Sequence, residues 1–422
     1  MAKYVIIGAS AGGIGAVEAI RDIDPTGSIV VISEEPSYSR PMISNLLENR
    51  ANRSKMQYRD PSFWNKHHVQ RFIKKQALHL DVANGYVELE DTERFAFEQL
   101  LLATGGLPLI PPIEGVNKNG VFTFNSLSDA EALSPRIKEG APILVLGGGL
   151  IGVSVAEALH HRGASVTIVE LKDHLLNLIL DDTASTMIET AITQAGVDVI
   201  SGETIRQIVG QPSSPSEIGE VILTNNQRLP CEALVITIGV TPRTALVENT
   251  PVQTNRGIIV DKHMQTNIPT IYACGDVAET FDFITDTNRL LPLWPLAYQQ
   301  GRIAGYNMAG RTITYPGGTN MTALKYFDVP IITIGYATGN TTLGDEILVN
   351  HDPSRRIYKK LVVRENRIIG LTFVNAIERA GLYLHLMKHR LDVEAYKTQL
   401  TSQDFGLAIL PPPVRHDLLV VK

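Results

Sequence analysis

VIIGASAGGIGAVEAI (residues 5–20) and LVLGGGLIGVSVAEAL (residues 144–159) are two copies of one pattern. Gly8 falls on Gly147, Ser10 on Gly149, Gly13 on Gly152 and Glu18 on Glu157. Before each copy's first glycine, a hydrophobic run (Tyr4 to Ile7; Ile143 to Leu146) reads as a buried parallel strand. The glycines let the backbone turn tightly and approach a pyrophosphate. A helix begins there, and its free N–H groups and positive dipole end stabilise negative charge. Ser10 replaces the usual second glycine; it is small enough for close approach, and its hydroxyl can donate to phosphate. Gly13 and Gly152 permit close helix–strand packing. After the first helix, SIVVISEE ends a second strand at Glu34 or Glu35. After the second, ASVTIVE ends at Glu170. A carboxylate at that place accepts adenosine ribose hydroxyls. Strand, glycines, helix, strand and acid, twice in order, imply two bound dinucleotides and electron transfer between them.

The chain has 422 residues, enough for two to three domains. A hydrophobic fraction of 44% and a charged fraction of 19% fit a globular protein with a sizeable core. The net charge of −6 favours neither nucleic acid nor an anionic membrane. No apolar run approaches the roughly 18 residues of a membrane span. The first strand begins near Lys3, which leaves no room for a signal peptide, so a cytoplasmic location is expected. The two cysteines, Cys231 and Cys274, are far apart and lie in or beside apolar runs; they read as small buried thiols. The histidines show no metal-ligand spacing, and the pairs His67–His68 and His160–His161 read as surface residues. No metal is expected.

The expected fold class is α/β: two Rossmann-like dinucleotide-binding domains in a glutathione reductase-like arrangement, plus a C-terminal α+β interface domain. Residues 1–112 and 243–315 form the first domain, 113–242 the second and 316–422 the third. Within the first, ALHLDVANGYVELED reads as a hairpin turning at Asn84–Gly85. FEQLLLATGG is a buried strand ending in a small-residue turn, and LPLIPPIEG a proline-rich linker. ALVITIGVTP closes the second domain on Gly239 and Pro242. RGIIVDKHMQTNIPTIYACGD supplies two more strands, and LWPLAYQQGRIAGYNMAG a helix opening after Pro295. QPSSPSEIGE reads as an exposed loop. The tail predicts short strands (IITIGY, IYKKLVV, RIIGLTFV) and a helix in AIERAGLYLHLMKHR.

The order GxSxxG…E, LLATG, GGGLIG…E, GVTP and YACGD resembles the pyridine nucleotide–disulfide reductase superfamily across essentially the whole chain. The segment EEPSYSRPMIS is similar to the rubredoxin reductase and nitrite reductase flavoprotein branch. The resemblance implies FAD on the first fold and NAD(H) on the second. Gly8, Ser10, Ala11 and Gly13 would take the FAD pyrophosphate, with Glu34, flanked by Glu35, on its adenosine ribose. Arg40–Pro41 would lie along the flavin. Ala103, Thr104 and Gly105 would form a turn contacting FAD, and Asp276 would bond a ribityl hydroxyl. Ala297 would open a helix whose positive end faces the flavin pyrimidine. Gly147, Gly149, Leu150, Ile151, Gly152, Glu170 and Gly239 would serve NAD(H).

Three departures from that pattern bear on activity. Ser44 stands near where coenzyme A-disulfide reductases and NADH oxidases carry their single cysteine, which disfavours thiol relay chemistry. Asn45 and Ser154 stand where many relatives pair a lysine with a glutamate. The chain also has no iron–sulfur cysteine set, so electrons must leave by another protein or a small molecule. Hydride transfer needs stacking at close range rather than an acid or base, so no conventional catalytic residue is expected. Glu170 would put like charge beside a 2′-phosphate, which favours NADH over NADPH.

The resulting expectation is an FAD-dependent NAD(H) oxidoreductase exchanging electrons with an external redox protein or an iron–sulfur or metalloenzyme subunit. It would resemble the flavoprotein subunits of phenylglyoxylate dehydrogenase and tungsten aldehyde oxidoreductase, working as a homodimer or within a hetero-complex. A stand-alone NADH oxidase or small-molecule disulfide reductase is the first alternative. A non-catalytic flavin- and NAD-binding scaffold or sensor is the second.

Overall fold

In the computed structural model, which describes residues 2–419, the chain divides into two compact units. The first comprises residues 1–109, 125–130 and 240–318, and the second 110–124, 131–239 and 319–422. Residues 319–419 contribute their own sheet within the second unit.

In the first unit the strand Ala2–Ile7 pairs in parallel with Ile29–Ser33 on one side and Arg94–Leu102 on the other. Ile29–Ser33 pairs in turn with Val69–Ile73. These strands are apolar on both faces because a helix covers the sheet: Val5, Ile6, Val31, Ile32, Leu100 and Leu101 are buried in one core with Ile14, Val17 and Ile20 of the helix Ala11–Ile23. Arg94–Leu102 is shared between two sheets. Its end half pairs in parallel with Ile271–Ala273, and its start pairs antiparallel with Tyr86–Leu89. Tyr86–Leu89 and Ala77–Asp81 form the expected hairpin, but with a four-residue turn. Asp81 pairs with Tyr86, its carboxylate accepts the Asn84 N–H at 2.9 Å, and Gly85 takes the left-handed position at φ +67°.

The helix Trp294–Met308 lies directly against Ala11–Ile23. A methyl group at Gly301 would sit 2.0 Å from the Gly12 carbonyl oxygen, and one at Gly305 2.5 Å from that of Ala16. The small residues therefore allow backbone-to-backbone contact. This helix begins at Trp294, with Pro295 in its first turn, where the missing N–H costs nothing.

The second unit contains a five-stranded parallel sheet ordered Asp198–Ser201, Ser165–Glu170, Pro142–Leu146, Ala233–Ile236, Val121–Thr123. The helix Leu150–His161 crosses between its central strands. The QPSSPSEIGE stretch is not a free loop. Residues Ser214–Leu223 form a strand paired with Ile205–Gln211, and only the tip around Pro212–Ser213 turns. Ile218, Val221 and Leu223 bury on the core, and their burial overrides the local preference of serine and proline for a loop.

Residues 319–419 add an antiparallel sheet ordered Met321–Tyr326, Val329–Gly335, Arg367–Val374, Ile357–Arg364, Glu346–Asp352. The helix Ala380–Lys388 packs on it through Tyr383, Leu386 and Met387. Among the described residues no helix is long and apolar enough to cross a membrane.

Candidate functional site: two glycine turns

At the first glycine turn Gly8 ends its strand at φ +114°, a conformation that a side chain would strain, and its N–H donates to Ile32 O at 2.8 Å. A methyl on Gly13 would stand 2.0 Å from Gly8 O, so glycine is required for the helix to fold back on the turn. Ser10 is the N-cap residue, yet its hydroxyl bonds no helix N–H. The first turn from Ala11 keeps its donors free.

Gly12 shows how the separate segments meet. A methyl there would lie 2.6 Å from Cys274 Sγ, 3.5 Å from Ala297 O and 3.6 Å from Ala103 Cβ. The glycine turn, the small-residue turn, the end of YACGD and the later helix thus converge on one place. Ala103 N–H donates to Ile7 O at 2.8 Å. Gly105 is left-handed and accepts the Arg243 N–H at 2.9 Å, while the Thr104 hydroxyl donates to Arg243 O at 2.9 Å.

Asp276 stands in a short turn, Gly275–Val277, between two strands. Burial pushes its carboxyl above the usual carboxylate range, only partly offset by Arg40. Among the described residues, no donor lies within hydrogen-bond distance of that carboxylate. A partly buried carboxylate without protein donors is what a polyhydroxyl chain would satisfy.

The acids after the second strand are differently placed. Ile7 pairs with Ile32, and Leu146 with Val169, so Ser33 occupies the register position of Glu170 and Glu34 comes one residue later. Glu34 forms an ion pair with Arg243. Glu35 accepts from Arg40 at 2.6 Å and from the Tyr38 hydroxyl at 3.0 Å. Arg40 and Pro41 open a single 3-10 turn, and the Arg40 guanidinium also donates to Asn125 O. Ser44 and Asn45 lie in the short helix Ile43–Leu47, both partly exposed.

At the second turn Gly147 sits at φ +107° and donates to Val169 O at 2.8 Å. A methyl on Gly152 would be 1.9 Å from Gly147 O, whereas one on Gly149 would meet nothing within 4 Å. Gly149 is the N-cap of Leu150–His161, again without a side-chain cap. Glu170 is buried, and its carboxylate is fixed by two backbone donors, Gly148 N–H at 2.7 Å and Lys172 N–H at 2.8 Å. Ile151 and Ile238 are both 40% exposed beside this turn, and Gly239 is exposed at φ +124°. Ser154 is partly exposed on the helix.

Both cysteines are buried, and burial pushes each thiol up to about 12. Neither forms a thiolate near neutral pH. His67 packs on Phe63, and His160 lies 6.0 Å from Phe327, centroid to centroid.

Several residues with evident work carry no local sequence signal. Glu18 accepts from Arg59 Nε at 2.7 Å and from the Tyr298 hydroxyl at 2.6 Å. Its counterpart in the repeat, Glu157, accepts the Phe327 N–H at 2.6 Å, and the buried Tyr326 hydroxyl donates to Leu150 O at 2.7 Å. Only the alignment of the two copies pointed to the glutamates. Nothing in the sequence marked Arg243, Gln300 or Tyr326.

Two unequal glycine-turn folds with open helix N-termini, one beside an unpartnered carboxylate, define a class: flavoproteins that bind two dinucleotides. The family model described as pyridine nucleotide-disulphide oxidoreductase matches residues 2–301, and that of the rubredoxin NAD+ reductase C-terminal domain matches residues 321–391. The chain belongs to the pyridine nucleotide-disulphide oxidoreductase family. It is 30% identical over 413 residues to the NADH-dependent phenylglyoxylate dehydrogenase subunit epsilon of Aromatoleum evansii, covering 96% of each chain. It is 27% identical to an NADH oxidase of Methanocaldococcus jannaschii, covering 98% of this chain and 95% of that one. The crystal structure of the covalent putidaredoxin reductase–putidaredoxin complex superposes with a TM-score of 0.87 at 22% identity, over 94% and 95% of the two chains, a likeness of fold. The protein is therefore an NAD(P)H-dependent flavoprotein oxidoreductase, with FAD and NAD(P)H as its nucleotides.

Proposed function

We propose that this chain is a cytoplasmic NADH-linked flavoprotein that exchanges electrons with an external redox protein or with an iron–sulfur or metalloenzyme subunit. The observation that carries the reading is the state of its sulfur. Ser44 stands near where the resemblance puts the single cysteine of thiol-relay relatives, and Cys231 and Cys274 are buried with thiols pushed up to about 12. Among the described residues no accessible thiol stands ready to relay electrons to a disulfide. Bound FAD would supply the redox chemistry, accepting a hydride from the nicotinamide and releasing electrons singly.

The residues do the holding. Gly8, Ser10, Ala11 and Gly13 present the uncapped helix start to the FAD pyrophosphate, and Asp276 accepts ribityl hydroxyls. Arg40–Pro41, Ala103–Gly105 and the Ala297 turn line the rest. Glu34, ion-paired with Arg243, would take the adenosine ribose. On the other fold Gly147, Gly149, Leu150, Ile151 and Gly152 hold the NADH pyrophosphate, Glu170 its ribose, and Gly239 closes the turn beside Ile238. The name of the Aromatoleum relative, a subunit, supports an assembly with a partner.

The test is anaerobic stopped-flow reduction by NADH, followed by turnover with ferricyanide, oxygen and a small disulfide. Fast reduction and ferricyanide turnover with negligible oxygen or disulfide turnover support the reading. Rapid turnover with oxygen or a disulfide by the purified chain would establish a stand-alone oxidase or reductase instead.

A further inference from the structure

Gln300 is 1% exposed on the helix Trp294–Met308, and both ends of its amide are engaged. Its Oε1 accepts the Gly275 N–H at 2.8 Å, and its Nε2 donates to the Thr280 hydroxyl at 3.0 Å. Thr280 is itself wholly buried in the strand Ala278–Asp282. Gly275 stands at φ +76° and opens the turn that carries Asp276. On the other side of that turn, Cys274 N–H donates to Leu102 O at 3.1 Å. The turn is therefore hung from two points, the central strand and Gln300. The next residue along the helix, Gly301, seats against the glycine turn, since a methyl there would be 2.0 Å from Gly12 O. One helical step thus ties together the carboxylate turn and the phosphate helix.

We propose that Gln300 is a positioning residue for FAD: it fixes the Gly275–Asp276 turn so that the Asp276 carboxylate is presented to the ribityl hydroxyls in step with the phosphate helix. The inference rests on the reading of Asp276 as the ribityl acceptor. A buried amide bridging two buried partners could also serve stability alone. The two roles separate because a stability role loosens every part of the FAD fold equally, while a positioning role acts through Asp276.

The experiment uses the full chain stripped of flavin and titrated with FAD, and separately with ADP, which lacks the ribityl chain. Gln300→Met keeps length and volume and removes both hydrogen bonds. It is expected to weaken FAD about tenfold, the scale of one lost buried hydrogen bond, and ADP less than about twofold. Asp276→Ala is expected to weaken FAD by a similar factor or more. The double variant should then be no weaker than Asp276→Ala alone, the non-additivity expected of residues acting through one another. Equal weakening of FAD and ADP, or an additive cycle, would overturn the proposal. If Asp276→Ala leaves FAD affinity unchanged, the assignment of Asp276 fails first. If Asp276→Ala weakens FAD and Gln300→Met does not, only the positioning role fails. Should Gln300→Met not fold, Thr280→Val frees the Nε2 end alone. About threefold weaker FAD with unchanged ADP upholds the role, and parallel loss of both refutes it.

Discussion

Replacing Glu170 with glutamine should change nucleotide choice far more than it changes the fold. The Glu170 carboxylate cannot swing aside, because Gly148 N–H at 2.7 Å and Lys172 N–H at 2.8 Å hold its two oxygens. A unit negative charge on a ligand about 4 Å from it would be opposed by about 4 kcal/mol at an effective dielectric of about 20. Solvent and the neighbouring Lys172 screen roughly half of that, which leaves about 2 kcal/mol, or about thirtyfold in kcat/KM. Glutamine keeps one carbonyl acceptor for Gly148, drops the charge and turns its NH2 toward the Lys172 N–H, which loses its acceptor. One charge-assisted bond becomes neutral and the other is lost, at a cost to stability of about 2–3 kcal/mol. The expected result is an NADPH kcat/KM raised ten- to thirtyfold, with NADH lowered only a few-fold, measured anaerobically with ferricyanide as acceptor. A ratio of the two nucleotides within twofold of the unmodified protein would refute the assignment of Glu170 to the ribose and the electrostatic argument with it.

Asp181→Ala should cost about 3–5 kcal/mol in urea unfolding, because it removes the cap on Ala184 N–H and strands the buried Lys360, whose Nζ lies 2.9 Å from the carboxylate. Burial pushes the Asp181 carboxyl up, but the Tyr358 hydroxyl, the Ala184 amide and Lys360 outweigh it and hold the group below the usual range. Its contribution is therefore complete above about pH 4 and is lost as the pH falls through the depressed folded value; the variant should lack that acid-limb loss. Tyr326→Phe removes the bond to Leu150 O and should cost about 1 kcal/mol. NADH Kd by titration is expected to rise two- to fivefold while FAD Kd stays unchanged; an equal rise in both counts against a local effect. Ser10→Asp supplies a strong cap to an uncapped helix, so the flavin-free protein should gain about 1 kcal/mol in thermal unfolding while FAD affinity drops at least tenfold by repulsion of its pyrophosphate. Unchanged FAD affinity would place the pyrophosphate elsewhere.

The glycine turns were legible because their cause is short-range. Gly13 must clear Gly8 O, and Gly152 must clear Gly147 O, only five residues away in each case. The buried cysteines were legible from their apolar flanks. Pairing decided what the sequence left open. Ser214–Leu223 has the composition of a loop, yet it buries Ile218 and Val221 against Ile205–Gln211. The hairpin at Asn84–Gly85 carries the signal of a two-residue turn, but Asp81 caps a longer one. Reading the acids as equivalents missed a one-residue offset between Glu34 and Glu170 that only strand register shows. Arg243, Gln300 and Tyr326 act on partners 209, 25 and 176 residues away, where no local pattern reaches.

Helix capping ties these observations together. Four described helices have twelve or more residues: Ala11–Ile23, Leu150–His161, Asp182–Gln194 and Trp294–Met308. Only Asp182–Gln194 is closed by a side-chain cap, from Asp181. A cap is worth about 1 kcal/mol, so leaving three long helices without one has a cost that local folding alone does not explain. Two of the three begin at the glycine turns, and the third begins beside Gly275. On the proposed reading, the pyrophosphates and the flavin would complete their uncapped N–H groups. Lateral anchors then replace the cap. Glu18 grips Tyr298 and Arg59, and Glu157 grips the Phe327 N–H, about two turns along their helices. The glutamates shared by the two copies thus hold each glycine-turn helix from behind, while no side chain caps its front.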